Sequence, residues 1–206
     1  MKLAVFDFDS TLIQGETLEF IAREYKIEDL MREITTEAME GKIDFFESLI
    51  KRVALLKGAK ETKVKEICKN LPYTKGAKET ISELHKMGYK AVCFSGGYET
   101  ATIPAQEVLG YDAQFSNILH FKNGEMTGCL GGEMMFSDSK GKMLKRLQTL
   151  FNISEKDTIT VGDGANDLSM FQYADKRVAF CAKPILKAQA DIIIENNNLT
   201  EILNYI

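Results

Sequence analysis

The chain has four cysteines, Cys68, Cys93, Cys129 and Cys181, and none stands in a CxxC pair. Thiols this far apart suggest neither a zinc site nor a disulfide framework, and a reducing cytoplasm is the expected compartment. No apolar run approaches the roughly 20 residues that a membrane helix needs. The apolar start, Met1 to Phe6, is interrupted by Asp7 and Asp9 long before a signal peptide would be complete, so a soluble, untargeted chain is expected. Basic residues are not in excess: the formal net charge is -4, which argues against a broad nucleic-acid footprint. Internal repeats, low-complexity tracts and charged tails are lacking, and the dense polar run Glu195 to Asn198 reads as a surface turn. The two histidines, His85 and His120, have no neighbouring acid or cysteine pattern and read as structural. Neither nucleic acid nor membrane is therefore an expected partner.

What remains is enough apolar sequence for a core over one domain, or one domain with an insertion. Short β-branched and apolar runs at Leu3–Phe6, Ala91–Phe94, Thr158–Val161, Val178–Phe180 and Ile192–Ile194 read as buried strands. They alternate with helical patterns, which predicts an α/β fold with a parallel sheet. Between the first two runs the spacing is helical only: Leu18, Ile21, Ala22 and Tyr25, then Ile34 and Ala38, then Phe45, Leu49 and Val53. This stretch is expected to be an inserted helical cap. Gly58 and Pro72 to Gly76 mark breaks, and Ile81, Leu84 and Met87 before Gly88 describe a helix with a glycine stop. Lys122-Asn123-Gly124 between apolar runs predicts a hairpin, read as a small antiparallel excursion.

Three strand ends carry polar groups. The first ends in Asp7-Phe8-Asp9-Ser10-Thr11, and side chains two apart in an extended segment share a face, so both carboxylates are expected in one cleft. The second ends in Ser95-Gly96-Gly97, a hydroxyl and glycine N–H groups suited to phosphate oxygens. The third ends in Gly162-Asp163-Gly164-Ala165-Asn166-Asp167, where glycines permit close backbone approach. An isolated acidic pair or a lone Ser-Gly-Gly turn would mean little. Ligands of open α/β sheets, however, bind outside the carboxyl ends of the strands, and here three such ends are equipped together. Clustered carboxylates need a cation among them, and an all-oxygen set suits magnesium. Lys140 stands near a helix start, where a cation is disfavoured, which points to a functional reason for it as a fixed charge on phosphate.

In this order the four segments resemble the motifs of the haloacid dehalogenase superfamily. The resemblance covers essentially the whole chain, including Glu16, Glu37 to Gly41, Arg52 and Phe180 to Pro184. It implies a Rossmann-like core over 1–13 and 76–206, with a small helical-bundle cap over 14–75 and a β-hairpin excursion. It further implies a magnesium-dependent phosphatase of a small amino-acid ester, O-phospho-L-serine, acting in serine biosynthesis through an aspartyl-phosphate. Asp7 would be the nucleophile and Asp9 the general acid, then base. Magnesium would be held by Asp7, the Asp9 carbonyl and Asp163, with Asp167 in support. Ser95, Gly96, Lys140 and Asn166 would bind the phosphoryl group, Glu16 the substrate ammonium and Arg52 its carboxylate, with Met39 and Phe45 closing over it. Met39 and Phe45 also fit core packing, Glu16 a helix first turn, and Arg52 a solvated face. The chain opens directly on the first strand, so no amino-terminal regulatory domain is expected. The expected partner is the small-molecule substrate, for a monomer or homodimer. A phosphotransferase passing the group to an alcohol such as homoserine would use the same residues. A phosphoaccepting signalling module would need neither Asp9 nor a cap.

Overall fold

The computed structural model describes residues 1–39 and 42–206, except for the side chain of Met39. Strand β1 (Lys2–Asp7) lies between β2 (Tyr89–Tyr98) and β5 (Thr158–Gly162), parallel to both. With β3 (Ala113–Lys122), β4 (Glu125–Gly132), β6 (Lys176–Phe180) and β7 (Ile192–Ile194) the sheet has 7 strands, in the order β4-β3-β2-β1-β5-β6-β7. All neighbours are parallel except β3 and β4. The chain leaves β1 toward β2 on one side and later returns to β5 on the other. The carboxyl end of β1 is therefore the switch point at which such sheets open a crevice.

Alternation along β1 sends its residues into two cores. Ala4 and Phe6 pack with Ile81 and Leu84 of α5 (Ala77–Lys86) and Ala101 and Leu109 of α6 (Glu99–Leu109). Leu3 and Val5 pack with Met143, Leu144 and Leu147 of α7 (Ser139–Phe151), and with Met170 and Phe171. Both faces are covered, which is why these strands read as continuous apolar runs. Phe6 and Phe8 are wholly buried on one side, each contributing about 1.5–3 kcal/mol by its removal from water. That leaves Asp7 between them, directed the other way.

The insertion is helical, as its spacing predicted: α1 (Thr17–Glu24), α2 (Glu28–Met39), α3 (Phe45–Ala54) and α4 (Glu61–Lys69). Leu18, Ile21, Ala22, Met31, Leu49, Val53, Val64 and Cys68 are buried. The Asp44 carboxylate accepts the Glu47 N–H at 2.7 Å and starts α3, a cap of about 1 kcal/mol. Helix α5 ends as expected, with Gly88 at φ 82°, though Met87 is exposed. The hairpin at Asn123-Gly124 is present, and it grows out of the main sheet: the first part of β3 pairs parallel with β2. Two further short helices, α8 (Leu168–Phe171) and α9 (Pro184–Lys187), follow β5 and β6. Among the described residues no helix is long and apolar enough to cross a membrane.

Candidate active site

A cleft of about 880 Å³ lies over the carboxyl ends of β1, β2 and β5, walled on its other side by α1, α2 and α3. Of the residues singled out in the sequence, Asp7, Asp9, Glu16, Phe45, Arg52, Gly96, Asp163 and Asn166 line it. Ser95, Lys140 and Asp167 are buried immediately behind its floor, and the side chain of Met39 lies outside the described residues.

β1 ends at Asp7, so the two aspartates do not share one extended segment. Phe8–Leu12 forms a wide turn closed by the Ile13 N–H to the Phe8 carbonyl at 3.1 Å; Asp9 and Ser10 within it are not helical, and Ser10 stands at φ 57°. The turn sends Asp9 to the amino end of α1, where its Oδ1 accepts the Thr17 N–H at 2.8 Å and the Thr17 hydroxyl at 2.6 Å. An anion is favoured there by the free N–H groups and the helix dipole. Glu16, relieved of capping, accepts the Ser10 hydroxyl at 2.9 Å and faces the cleft. Burial first, and then the Glu16 charge, push the Asp9 carboxyl up to about 7, against the two Thr17 bonds. Thr17 was not legible as a site residue, because nothing local says which carboxylate α1 will receive.

Lys140 is 3% exposed and donates to Asp7 Oδ1 and to Asp167 Oδ1, both at 2.5 Å. The other Asp167 oxygen accepts the N–H groups of Asp163 and Gly164, each at 3.0 Å. Asp167 thus ties the third strand-end loop to Lys140, and Gly162 is required because a Cβ there would run into the Asp167 carboxylate. Carboxylate oxygens of Asp7, Asp163 and Asp167 lie within 4.8 Å of one another. Burial, followed by the neighbouring acids, raises Asp163 to about 7 and Asp7 well above the usual carboxylate range, while Lys140 is held charged by its two partners. Three carboxylates facing one ammonium leave two negative charges, which a divalent cation with oxygen ligands matches.

On the β2 side, Ser95 Oγ accepts the Gly97 N–H at 2.9 Å. A Cβ on Gly97 would stand 2.8 Å from Asp9 Oδ2, so only glycine lets this turn lie against Asp9. Phe45 of α3 covers Gly96, and Arg52, about two turns further along the same face, is half-buried in the cleft wall. Lys183 also lines the cleft, and its N–H fixes the Asp163 carbonyl at 2.8 Å. It lies in the Phe180–Pro184 segment, which the family resemblance includes without implying a role for it.

A family model described as a haloacid dehalogenase-like hydrolase matches residues 1–175. The phosphoserine phosphatase of Wolinella succinogenes is 57% identical over 206 residues, which is 100% of both chains. That of Methanocaldococcus jannaschii is 49% identical over 205 residues, 100% of this chain and 97% of its own. Among solved structures, a phospho-aspartyl intermediate analogue of phosphoserine phosphatase superposes with a TM-score of 0.94 at 49% identity, covering 100% of this chain and 98% of the other. A substrate-bound phosphoserine phosphatase complex gives the same TM-score, 0.94, at 48% identity and the same coverage. Taken with the acids, hydroxyl and lysine gathered at three strand ends, these likenesses place the chain in the family of haloacid dehalogenase-like hydrolases.

Proposed function

We propose that this protein is a magnesium-dependent phosphatase that hydrolyses O-phospho-L-serine to L-serine and phosphate through a phosphorylated Asp7. The observation that carries the reading is one cleft with two kinds of charge. Its floor holds Asp7 and Asp163 above buried Lys140, and its wall holds Glu16 and Arg52, opposite charges suited to an ammonium and a carboxylate. The names of the relatives point to the same substrate.

Asp7 and Asp163, with the Asp9 carbonyl and with Asp167 in support, would hold the metal ion. Magnesium, when bound, neutralises the carboxylate cluster and the phosphoryl oxygens. Asp7 Oδ attacks phosphorus as the P–O bond to the seryl oxygen breaks, and Asp9 gives that oxygen its proton. Ser95, Gly96, Lys140 and Asn166 bind the phosphoryl oxygens during transfer. Asp9, now a carboxylate, takes a proton from water, and the hydroxyl attacks the phospho-aspartate, releasing phosphate and restoring Asp7. A carboxyl at about 7 suits both halves of this cycle, because it gives and regains a proton near neutrality.

The helical insertion over 14–75 serves as the cap on a core of 1–13 and 76–206. Phe46 of α3 stacks on Phe136 of the loop before α7, with ring centroids 5.2 Å apart and planes at 8°, holding cap to core beside the cleft mouth. Such a pair is worth about 0.5–1.5 kcal/mol. Phe136→Ala is therefore expected to raise KM by roughly 2- to 10-fold for phosphoserine and an aryl phosphate alike. Unchanged KM for both would remove the stack from cap closure.

Phosphate release across a panel of phosphorylated metabolites, with and without alcohol acceptors such as homoserine, tests the assignment. Phosphoserine is expected to be the best substrate, with water as acceptor; release of serine with the phosphoryl group recovered on the alcohol in place of free phosphate would make the protein a phosphotransferase. Excess chelator is expected to abolish release and magnesium to restore it. Full release in chelator would defeat the metal assignment. Calcium is expected to inhibit, since its larger and more variable coordination misplaces the Asp7 carboxylate.

A further inference from the structure

We infer that Asn117 is a positioning residue for the reaction: its carboxamide sets the peptide that aims the Ser95 hydroxyl, and ties that turn to the loop carrying Lys140. Asn117 lies on β3, is wholly buried, and has no expected role from local sequence. The ladder between β2 and β3 pairs Val92–Phe94 with Ala113–Phe115, breaks, and resumes with Tyr98 opposite Asn117. Three residues of β2, Ser95 to Gly97, bulge out of the ladder toward the cleft, and a bulge leaves backbone groups unpaired.

The Asn117 side chain takes the place of the missing ladder bond. Its Nδ2 donates to the Gly96 carbonyl at 3.0 Å and to the Met134 carbonyl at 3.2 Å, and its Oδ1 accepts the Met134 N–H at 3.0 Å. A trans peptide is planar, with carbonyl and N–H pointing opposite ways. Fixing the Gly96 carbonyl on Asn117 thus directs the Gly97 N–H away from it, onto Ser95 Oγ at 2.9 Å. The hydroxyl is then an acceptor from within the turn, and its own proton has no acceptor among the described residues. A phosphoryl oxygen over Asp7 would take it. The Met134 bonds fix the other side, because Met134 leads through the loop to Ser139-Lys140. Gly132 on β4 makes room for this contact: a Cβ there would stand 2.7 Å from the Asn117 Cα.

The inference rests on the reading of Ser95 as a phosphoryl-binding hydroxyl, so its test separates the two. Binding of inorganic phosphate in the presence of magnesium is measured by calorimetry, beside kcat/KM for phosphoserine and the melting temperature. Wild type, Asn117→Ala, Ser95→Ala and the double variant are compared. Asn117→Ala is expected to weaken phosphate binding about 10-fold and to lower kcat/KM by about 10- to 100-fold, with the magnesium concentration for half-maximal activity unchanged. In the Ser95→Ala background the same change is expected to cost less than about 3-fold, since residues acting through one another are not additive. Full additivity, or phosphate binding by Asn117→Ala at the wild-type level, overturns the inference. If Asn117→Ala does not fold, Asn117→Asp keeps the shape and the acceptor for the Met134 N–H while replacing the amide donor to the Gly96 and Met134 carbonyls by an oxygen, and the same criteria apply. A wild type that binds phosphate without turning over phosphoserine would defeat the substrate assignment and leave the Asn117 comparison readable from binding. A wild type that binds no phosphate defeats the Ser95 reading and this inference with it.

Discussion

Asp7→Asn is expected to lose phosphate release by about 10⁴-fold or more, and to yield no acid-stable phosphoenzyme, because an amide offers no carboxylate oxygen to form the acyl phosphate. The loss will not come from unfolding. Burial and the charges of Asp167 and Asp163 hold the Asp7 carboxyl above its ordinary range, so its ionised form is disfavoured by the folded protein and a neutral side chain of equal size is tolerated. Lys140 keeps Asp167 as a partner in the variant. The melting temperature without metal is thus expected to stay level or rise. Asp9→Asn makes the contrast: it leaves the Asp7, Asp163 and Asp167 cluster intact, so magnesium still binds, while leaving-group protonation and hydrolysis both fail. Rapid acid quench and mass spectrometry of the peptide containing residues 3–22 read the result. A phosphoryl group trapped anywhere other than Asp7 refutes the assignment.

The gathering of polar groups in the cleft was legible in the sequence wherever they sit on a strand end. Apolar runs of strand length were followed directly by acids or Ser-Gly-Gly, and the topology of an α/β sheet brings such ends together without help from distant residues. The helical insertion was legible for a similar reason: Leu18, Ile21, Ala22, Leu49 and Val53 repeat at helix spacing and are all buried. What the sequence hid is set by non-local pairing. Asn117 matters because β2 slips against β3 over Ser95 to Gly97, and no local pattern announces that register shift. Thr17 matters because the turn after Asp7 swings Asp9 onto α1, where an extended reading kept both aspartates on one strand face. Lys140 was noticed as a cation in the wrong place on a helix, but its bridge between Asp7 and Asp167 joins residues 133 and 27 positions away.

The second large effect is expected at Arg52, as the residue proposed to bind the substrate carboxylate. It lines the cleft from α3, and among the described residues its one hydrogen bond is Nε to the Ser48 carbonyl of the same helix, at 3.4 Å. No carboxylate of the described residues pairs with it, although Glu16 and Asp9 face the same space. A planar guanidinium binds a carboxylate through two parallel N–H bonds, and losing such a contact in a closed site costs about 2–5 kcal/mol, or roughly 30- to 5,000-fold. Arg52→Ala removes no bond between elements, so the fold is expected to hold. kcat/KM for phosphoserine is expected to fall within that range, and Arg52→Lys to restore little, because an ammonium keeps the charge without the fork. Hydrolysis of an aryl phosphate, which has no carboxylate but meets the same Asp7, Asp163 and Lys140, is expected to change by less than about 3-fold. Equal losses for the two substrates would make Arg52 a support of the cap. No loss for either would leave it a bystander in the wall, and the carboxylate half of the substrate assignment would then have to be sought at another cation of the cleft, with Lys183 the one at hand.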